Sequence, residues 1–150
     1  MVYYVMIVAA VILDQLTKYW AVHQLLPVRS MEFIPGFLGF HYTENTGAAF
    51  SILRDKQLLL ILVTLLIIVL LLGMMTKAVR AGDPVVVKLS YMLIIAGAIG
   101  NFIDRARLNY VVDFFEFKFM NFPIFNVADI FVVCGVILLG YAAIFMKYEF

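Results

Sequence analysis

Asp113 and Asp129 are the residues of this sequence best suited to chemistry. Each is a carboxylate among large apolar neighbours, in Tyr110-Val-Val-Asp113-Phe-Phe and in Phe125-Asn-Val-Ala-Asp129. Two carboxylates brought close in a low-dielectric site cannot both ionise easily, so one keeps its proton while the other stays charged. Such a pair can take a proton from water and give one to a carbonyl oxygen or a leaving amine, with no metal and no nucleophilic Ser or Cys. Other chemistries lack their parts. His23 and His41 stand apart in one polar segment and Cys134 is the single cysteine, so neither a metal-ligand spacing nor an internal disulfide is available. No Gly-x-Ser-x-Gly elbow occurs to present a serine nucleophile. The net charge of +1, without a basic run, gives no reason to expect nucleic acid.

Further polar residues stand in apolar surroundings, where an ionisable group costs about 3 kcal/mol at the centre of a membrane helix. Asp14 and Lys18, four apart, share one face of a helix about 6 Å along its axis. They make either a self-neutralising pair with Lys18 snorkelling to the interface or the support of a site. Asn45-Thr-Gly47-Ala-Ala-Phe-Ser51 combines an amide with small residues that let a backbone approach a ligand closely. In Gly97-Ala-Ile-Gly100-Asn101-Phe-Ile-Asp104-Arg105 the glycines thin a helix surface for close packing, and Asn101, Asp104 and Arg105 fall on one face. Asp104 and Arg105 diverge by about 100° and need not pair with each other. Arg105 can instead hold a carbonyl or a carboxylate with its planar fork. Asn126 followed by Asp129 also reads as a helix N-cap with an acid in the first turn.

The elements that must position these groups are membrane spans. Hydrophobic residues make up 65% of the 150-residue chain and charged ones 14%, against roughly 45–50% and about 25% in soluble domains. One all-α membrane domain over residues 1–150 is expected, with four runs near the required ~20 residues: about 3–22, 58–75, 85–103 and 126–146. The first has no basic residue before it and carries Asp14 and Lys18, which argues for a retained helix and against a cleaved leader. The second contains no charge and reads as packing or lipid-facing helix. An even number of crossings puts both termini on one side. Lys77, Arg80 and Lys88 in the short second loop place that side in the cytoplasm. The loop at about 23–57 and the loop at 104–125 then share the outer side. Within the first of these, Met31–Ile52 is rich in Phe, Tyr, Thr, Gly and Pro, which suits a small β-sheet on the membrane surface, with Phe37-Leu38 and Phe40 dipping into the interface.

By the same count, Asp14, Lys18, Asn45, Asn101, Arg105, Asp113 and Asp129 all converge at one depth. A small proton or ion transporter would spread its polar groups across the membrane, and a non-catalytic assembly or anchor protein would need no paired carboxylates.

Asp14-Gln-Leu-Thr-Lys18, Asn45-Thr-Gly-Ala-Ala-Phe50, Gly100-Asn-Phe-Ile-Asp-Arg105, Val111-Val-Asp113-Phe and Phe125-Asn-Val-Ala-Asp129 closely resemble, in order, the motifs of lipoprotein signal peptidase, the bacterial signal peptidase II. The resemblance implies an aspartic endopeptidase of the bacterial plasma membrane, with no cofactor. Its substrates would be prolipoproteins, cut just before a cysteine that already bears a diacylglyceryl group. It implies Asp113 and Asp129 as the catalytic pair, Asn45, Asn101, Arg105 and Asn126 as residues lining the site, and Asp14, Lys18 and Asp104 as support. Gly47, Gly100 and Ala128 fall in the same motifs. A lid formed by Met31–Ile52, contact with membrane lipids and a monomeric state complete the expectation. Glu116-Phe-Lys-Phe-Met120 has no role assigned to it.

Overall fold

At about 1.5 Å per residue, 19 helical residues already cross the ~30 Å hydrocarbon core of a bilayer. The computed structural model describes residues 1–47 and 56–148. It contains four helices of at least that length: α1 (Val2–Trp20), α2 (Gln57–Ala81), α3 (Val85–Leu108) and α4 (Val127–Phe145). All four are long and apolar enough to cross a membrane, which makes this a multi-pass membrane protein. Three strands, β1 (Ser30–Ile34), β2 (Leu38–Asn45) and β3 (Val111–Phe117), form one antiparallel sheet in the order β1-β2-β3.

The helices outrun the apolar runs at their polar ends. α2 continues past Met75 to Ala81 and α3 past Ile103 to Leu108, each with arginine in its last turn, where a cation faces the negative end of the helix dipole. Hydropathy marks where hydrocarbon ends, not where helical hydrogen bonding does. α1 runs on into a single widened turn, Ala21–Leu25, closed by Leu26 N–H donating to Ala21 O at 2.9 Å. That turn seats Ala21 and Leu25, both fully buried, beside Tyr42, Val112 and Phe114 of the sheet.

α3 is the central helix and packs against each of the other three. Small residues permit this. A Cβ on Gly97 would stand 2.3 Å from the Ala128 carbonyl oxygen of α4, and one on Gly135 would stand 2.8 Å from Ser90 O of α3. At the far end of the bundle Ile7, Met75, Val87, Tyr91 and Ile95 form a buried core. Leu58, Leu62, Leu66 and Val69 remain exposed along α2, as suits side chains whose solvent is lipid.

Two strands arise where the Phe- and Tyr-rich first loop predicts them. The third, β3, comes from the segment after α3, which hydropathy alone does not mark as strand. Asn109, left-handed at φ 64°, ends α3 and turns the chain back into β3. Of the two aromatic sites expected to dip into the interface, Phe37 is exposed, whereas Phe40 is half-buried and packs on Trp20, Phe33 and Phe115. The predicted lid and the Asn45–Ser51 motif lie partly outside the described residues, beyond Gly47.

Candidate active site

The period of two in a strand decides how Asp113 is presented. Val112 and Phe114 turn into the cluster with Leu25 and Tyr42, so Asp113 between them points to the opposite side of β3. In the β2–β3 register Thr43 stands opposite Asp113 and Asn45 opposite Val111. Asn45 is thus a diagonal neighbour and donates its Nδ2 to Asp113 Oδ2 at 2.9 Å.

Asp129 arrives from the other side. Phe125 pairs with Phe115 as a short bridge: Phe115 N–H donates to Phe125 O at 2.8 Å, and Phe125 N–H donates to Phe115 O at 3.1 Å. The bridge brings the start of α4 alongside β3. Asn126 then caps α4 reciprocally with Asp129, the Asp129 N–H donating to Asn126 Oδ1 at 3.0 Å and the Asn126 N–H donating to Asp129 Oδ2 at 3.1 Å. The cap read from the sequence is real. It also does more, because Asn126 Nδ2 donates to Asp113 Oδ1 at 2.6 Å. One fully buried amide therefore ties both carboxylates together.

Asn101 of α3 closes the ring. Its Nδ2 donates to Asp129 Oδ1 at 2.8 Å, and its Oδ1 accepts from Asn126 Nδ2 at 3.1 Å and from Lys18 Nζ at 2.9 Å. Lys18 does not snorkel to the interface. It is buried, 2.9 Å from Asp14 Oδ2 and 3.0 Å from Asp104 Oδ2. Asp14 also accepts from Ala128 N–H at 2.9 Å, and Asp104 from Val112 N–H at 3.2 Å. This ionic group joins α1, α3, β3 and α4 behind the carboxylate pair. Asp104 turns to Lys18, while the adjacent Arg105 turns to the loop after β2 and donates from Nη2 to Gly47 O at 2.8 Å. Arg105 Nε is buried without a partner among the described residues.

A cavity of about 510 Å³ opens at this point. Asn45, Asn101, Arg105, Asp113 and Asp129 form its polar end, and Phe117, Phe122, Phe125, Ile130 and Val133 are among its apolar walls. Asp14, Lys18, Asp104, Gly100 and Ala128 do not line it, and neither does Asn126, which was expected to; they hold the residues that do. Gly100 leaves room for Asp14, whose Oδ2 would lie 2.5 Å from a Cβ there. Ala128 is fully buried beneath α3. Burial, and next the neighbouring Asp129 carboxylate, push Asp113 up from its ordinary 3.8 to about 7. The Asn45 and Asn126 amides and the Lys18 charge pull in the other direction. Among the described residues no group of three or more His, Cys, Asp or Glu side chains is placed to hold a metal ion.

Sequence reasoning missed Gln15, whose Nε2 donates to Asp14 Oδ2 at 3.2 Å, Gly100 O at 3.2 Å and Asp104 Oδ1 at 3.0 Å. Its signal was present, since an amide beside Asp14 within an apolar run is itself out of place. Phe117, Phe122 and Cys134 on the cavity wall carry no such signal, because apolar residues are common throughout the chain.

Residues 6–145 match the family model described as signal peptidase (SPase) II. The chain is similar to the lipoprotein signal peptidase of Clostridium tetani, 46% identical over 138 residues that cover 90% of this chain and 87% of that protein. The one from Caldanaerobacter subterraneus subsp. tengcongensis is 44% identical over 142 residues, 94% of each chain. The fold resembles a solved bacterial membrane enzyme with a TM-score of 0.85 and 34% identity, over 97% of this chain and 88% of that one.

Proposed function

The chain belongs to the signal peptidase II family, the membrane proteases that process prolipoproteins, and from that premise we propose that Asp113 and Asp129 are its catalytic pair. The observation that carries this reading is the buried Asn126 side chain, which donates to Asp113 and caps the helix that bears Asp129, and so holds both carboxylates at the polar end of an otherwise apolar cavity that they line.

With Asp113 raised to about 7 by burial and by its partner, Asp113 carries the proton and Asp129 is the base. Asp129 takes a proton from a water held between the two carboxyl groups, and the water oxygen bonds to the scissile carbonyl carbon. Asp113 gives its proton to the carbonyl oxygen, which leaves a neutral geminal diol. The proton on Asp129 then passes to the peptide nitrogen as the C–N bond breaks. One diol hydroxyl returns its proton to Asp113, so the pair ends as it began. Asn45, Asn101 and Asn126 orient the carboxyl groups throughout, and Arg105 is placed to hold a substrate carbonyl beside them.

The substrate in this reading is a prolipoprotein whose cysteine carries a diacylglyceryl group, cut just before that cysteine. The site then lies at the extracytoplasmic face of the plasma membrane with both termini in the cytoplasm, as the basic residues Lys77, Arg80 and Lys88 indicate. The enzyme acts as a monomer. Purified protein in lipid or detergent should cleave a diacylglyceryl-modified prolipoprotein before the modified cysteine, and Asp113→Asn and Asp129→Asn should each abolish cleavage. Cleavage surviving either change would place the chemistry elsewhere.

A further inference from the structure

Beyond its carboxylates the cavity has two apolar walls. One is α4, through Ile130 and Val133, and it continues along the exposed side of that helix as Ile137 and Tyr141. The other is aromatic, made by Phe117 at the end of β3 and by Phe122 and Phe125 in the segment leading to α4.

The aromatic wall does not stop at the cavity. Phe117 packs on Phe119 and Phe122 with ring centroids 5.5 and 5.7 Å apart, and Phe119 lies flat on Phe37 of the β1–β2 turn at 5.0 Å and 5°. A bond of 3.0 Å from Lys118 N–H to Phe37 O fastens that turn to the end of β3. Phe37 and Phe119 are nevertheless 49% and 56% exposed. Rings held in register and still uncovered, continuous with a reactive cavity, form a surface for an apolar ligand.

The two walls suit different ligands. A helical signal peptide satisfies its own backbone groups and needs a straight partner of membrane length, which α4 offers. The aromatic shelf is only a few residues long, too short for such a helix. Fatty acyl chains need contact area and no hydrogen-bond partners, and flat rings supply that. They must also leave the cavity, because a volume of about 510 Å³ suits one drug-sized ligand and cannot hold two long chains beside a peptide.

We propose that Phe117, Phe119 and Phe122, braced by Phe37, are the subsite for the acyl chains on the substrate's modified cysteine, an inference that rests on the diacylglyceryl-cysteine reading above. It gives the segment Glu116–Met120 a role in substrate recognition. Two synthetic peptides with the same signal sequence, one bearing two palmitoyl chains and one two butanoyl chains, test it. Phe119→Ala and Phe37→Ala should raise KM for the palmitoyl substrate about tenfold, the worth of one lost ring contact, and leave kcat and the butanoyl kinetics unchanged. Equal losses on both substrates, or losses that depend on the length of the signal sequence, would overturn the assignment. A palmitoyl chain ending in a diazirine should label the loop carrying Phe119 and Phe122 in the native enzyme, where no variant has to fold. Labelling confined to α4 would overturn it as well. If the native enzyme cleaves neither peptide, the diacylglyceryl-cysteine reading itself falls and takes this one with it. If it cleaves both and the variants fail to discriminate, the shelf assignment alone falls.

Discussion

Replacing Lys18 by Met keeps the length and apolar stem of the side chain and removes only its ammonium. Three contacts go with it: the ion pairs to Asp14 at 2.9 Å and Asp104 at 3.0 Å, and the hydrogen bond to Asn101 at 2.9 Å. Removing one partner of a buried ion pair costs about 3–5 kcal/mol, because an uncompensated charge stays behind. Here two buried carboxylates are left, but each keeps other donors. Asp14 retains Gln15 and the Ala128 N–H, and Asp104 retains Gln15 and the Val112 N–H. These donors set the expected loss at the low end, about 3 kcal/mol. Unfolding in mixed lipid–detergent micelles measures this. The double variant Lys18→Met/Asp104→Asn should recover part of the stability and none of the activity, since Asn101 still lacks its donor. A Lys18→Met protein within about 0.5 kcal/mol of native, or a double variant no more stable than Lys18→Met, would refute the reasoning.

The pH profile of kcat/KM should fall on its alkaline side with a midpoint near 7, where Asp113 loses the proton that the proposed mechanism has it donate. Asn45→Ala removes a hydrogen bond that holds this value down, so the midpoint should move up; a downward shift would contradict the assignment. The same carboxyl binds its proton more tightly in the fold than its ordinary 3.8 allows. Its contribution to stability is therefore fully present below about pH 4 and is lost as pH rises through about 7, which urea titrations of native and Asp113→Asn protein would show. Gly97→Ala sets a methyl against the Ala128 carbonyl, which cannot rotate away. It should cost about 1–3 kcal/mol in thermal unfolding and displace Asp129 along with α4. Gly73→Ala, mid-helix in α2 with nothing within 4 Å of the new methyl, should raise stability by about 0.5–1 kcal/mol and leave cleavage intact.

What could be read without the fold was what is expensive in an apolar chain. Asp14, Lys18, Asn101, Asp113, Asn126 and Asp129 stand out because each needs a reason to be there, and the four spans follow from counting apolar residues. The partners of these groups could not be read. Lys18 four residues from Asp14 is equally consistent with snorkelling and with burial; only the packing of α3 against α1 sets Asp104 and Asn101 beside its ammonium. Asp113 lies outside the apolar runs, and its strand conformation depends on pairing with β2, a contact across 68 residues. The aromatic shelf was invisible for the opposite reason. Phenylalanine is abundant here, and only stacking between Phe37 and Phe119, from two separate loops, distinguishes these rings from any others.

The amides explain how charge buried at some distance can govern the carboxylate pair. An ammonium has donors and no acceptor, so the atom of Asn101 that faces Lys18 must be its oxygen. Once that is settled, Nδ2 of Asn101 can only point to Asp129. The Asn126 Nδ2, which shares the same oxygen, is thereby turned toward Asp113 as well. A direction imposed by one lysine thus passes through two amides to both carboxylates. Neither amide could be an aspartate without bringing a third negative charge to the pair, and neither could be an apolar residue of the same shape without leaving a carboxylate short of a donor. The polar groups of α1 and α3 that never touch the cavity therefore belong to the site as much as its walls do, because they determine which hydrogen-bond pattern the two aspartates meet.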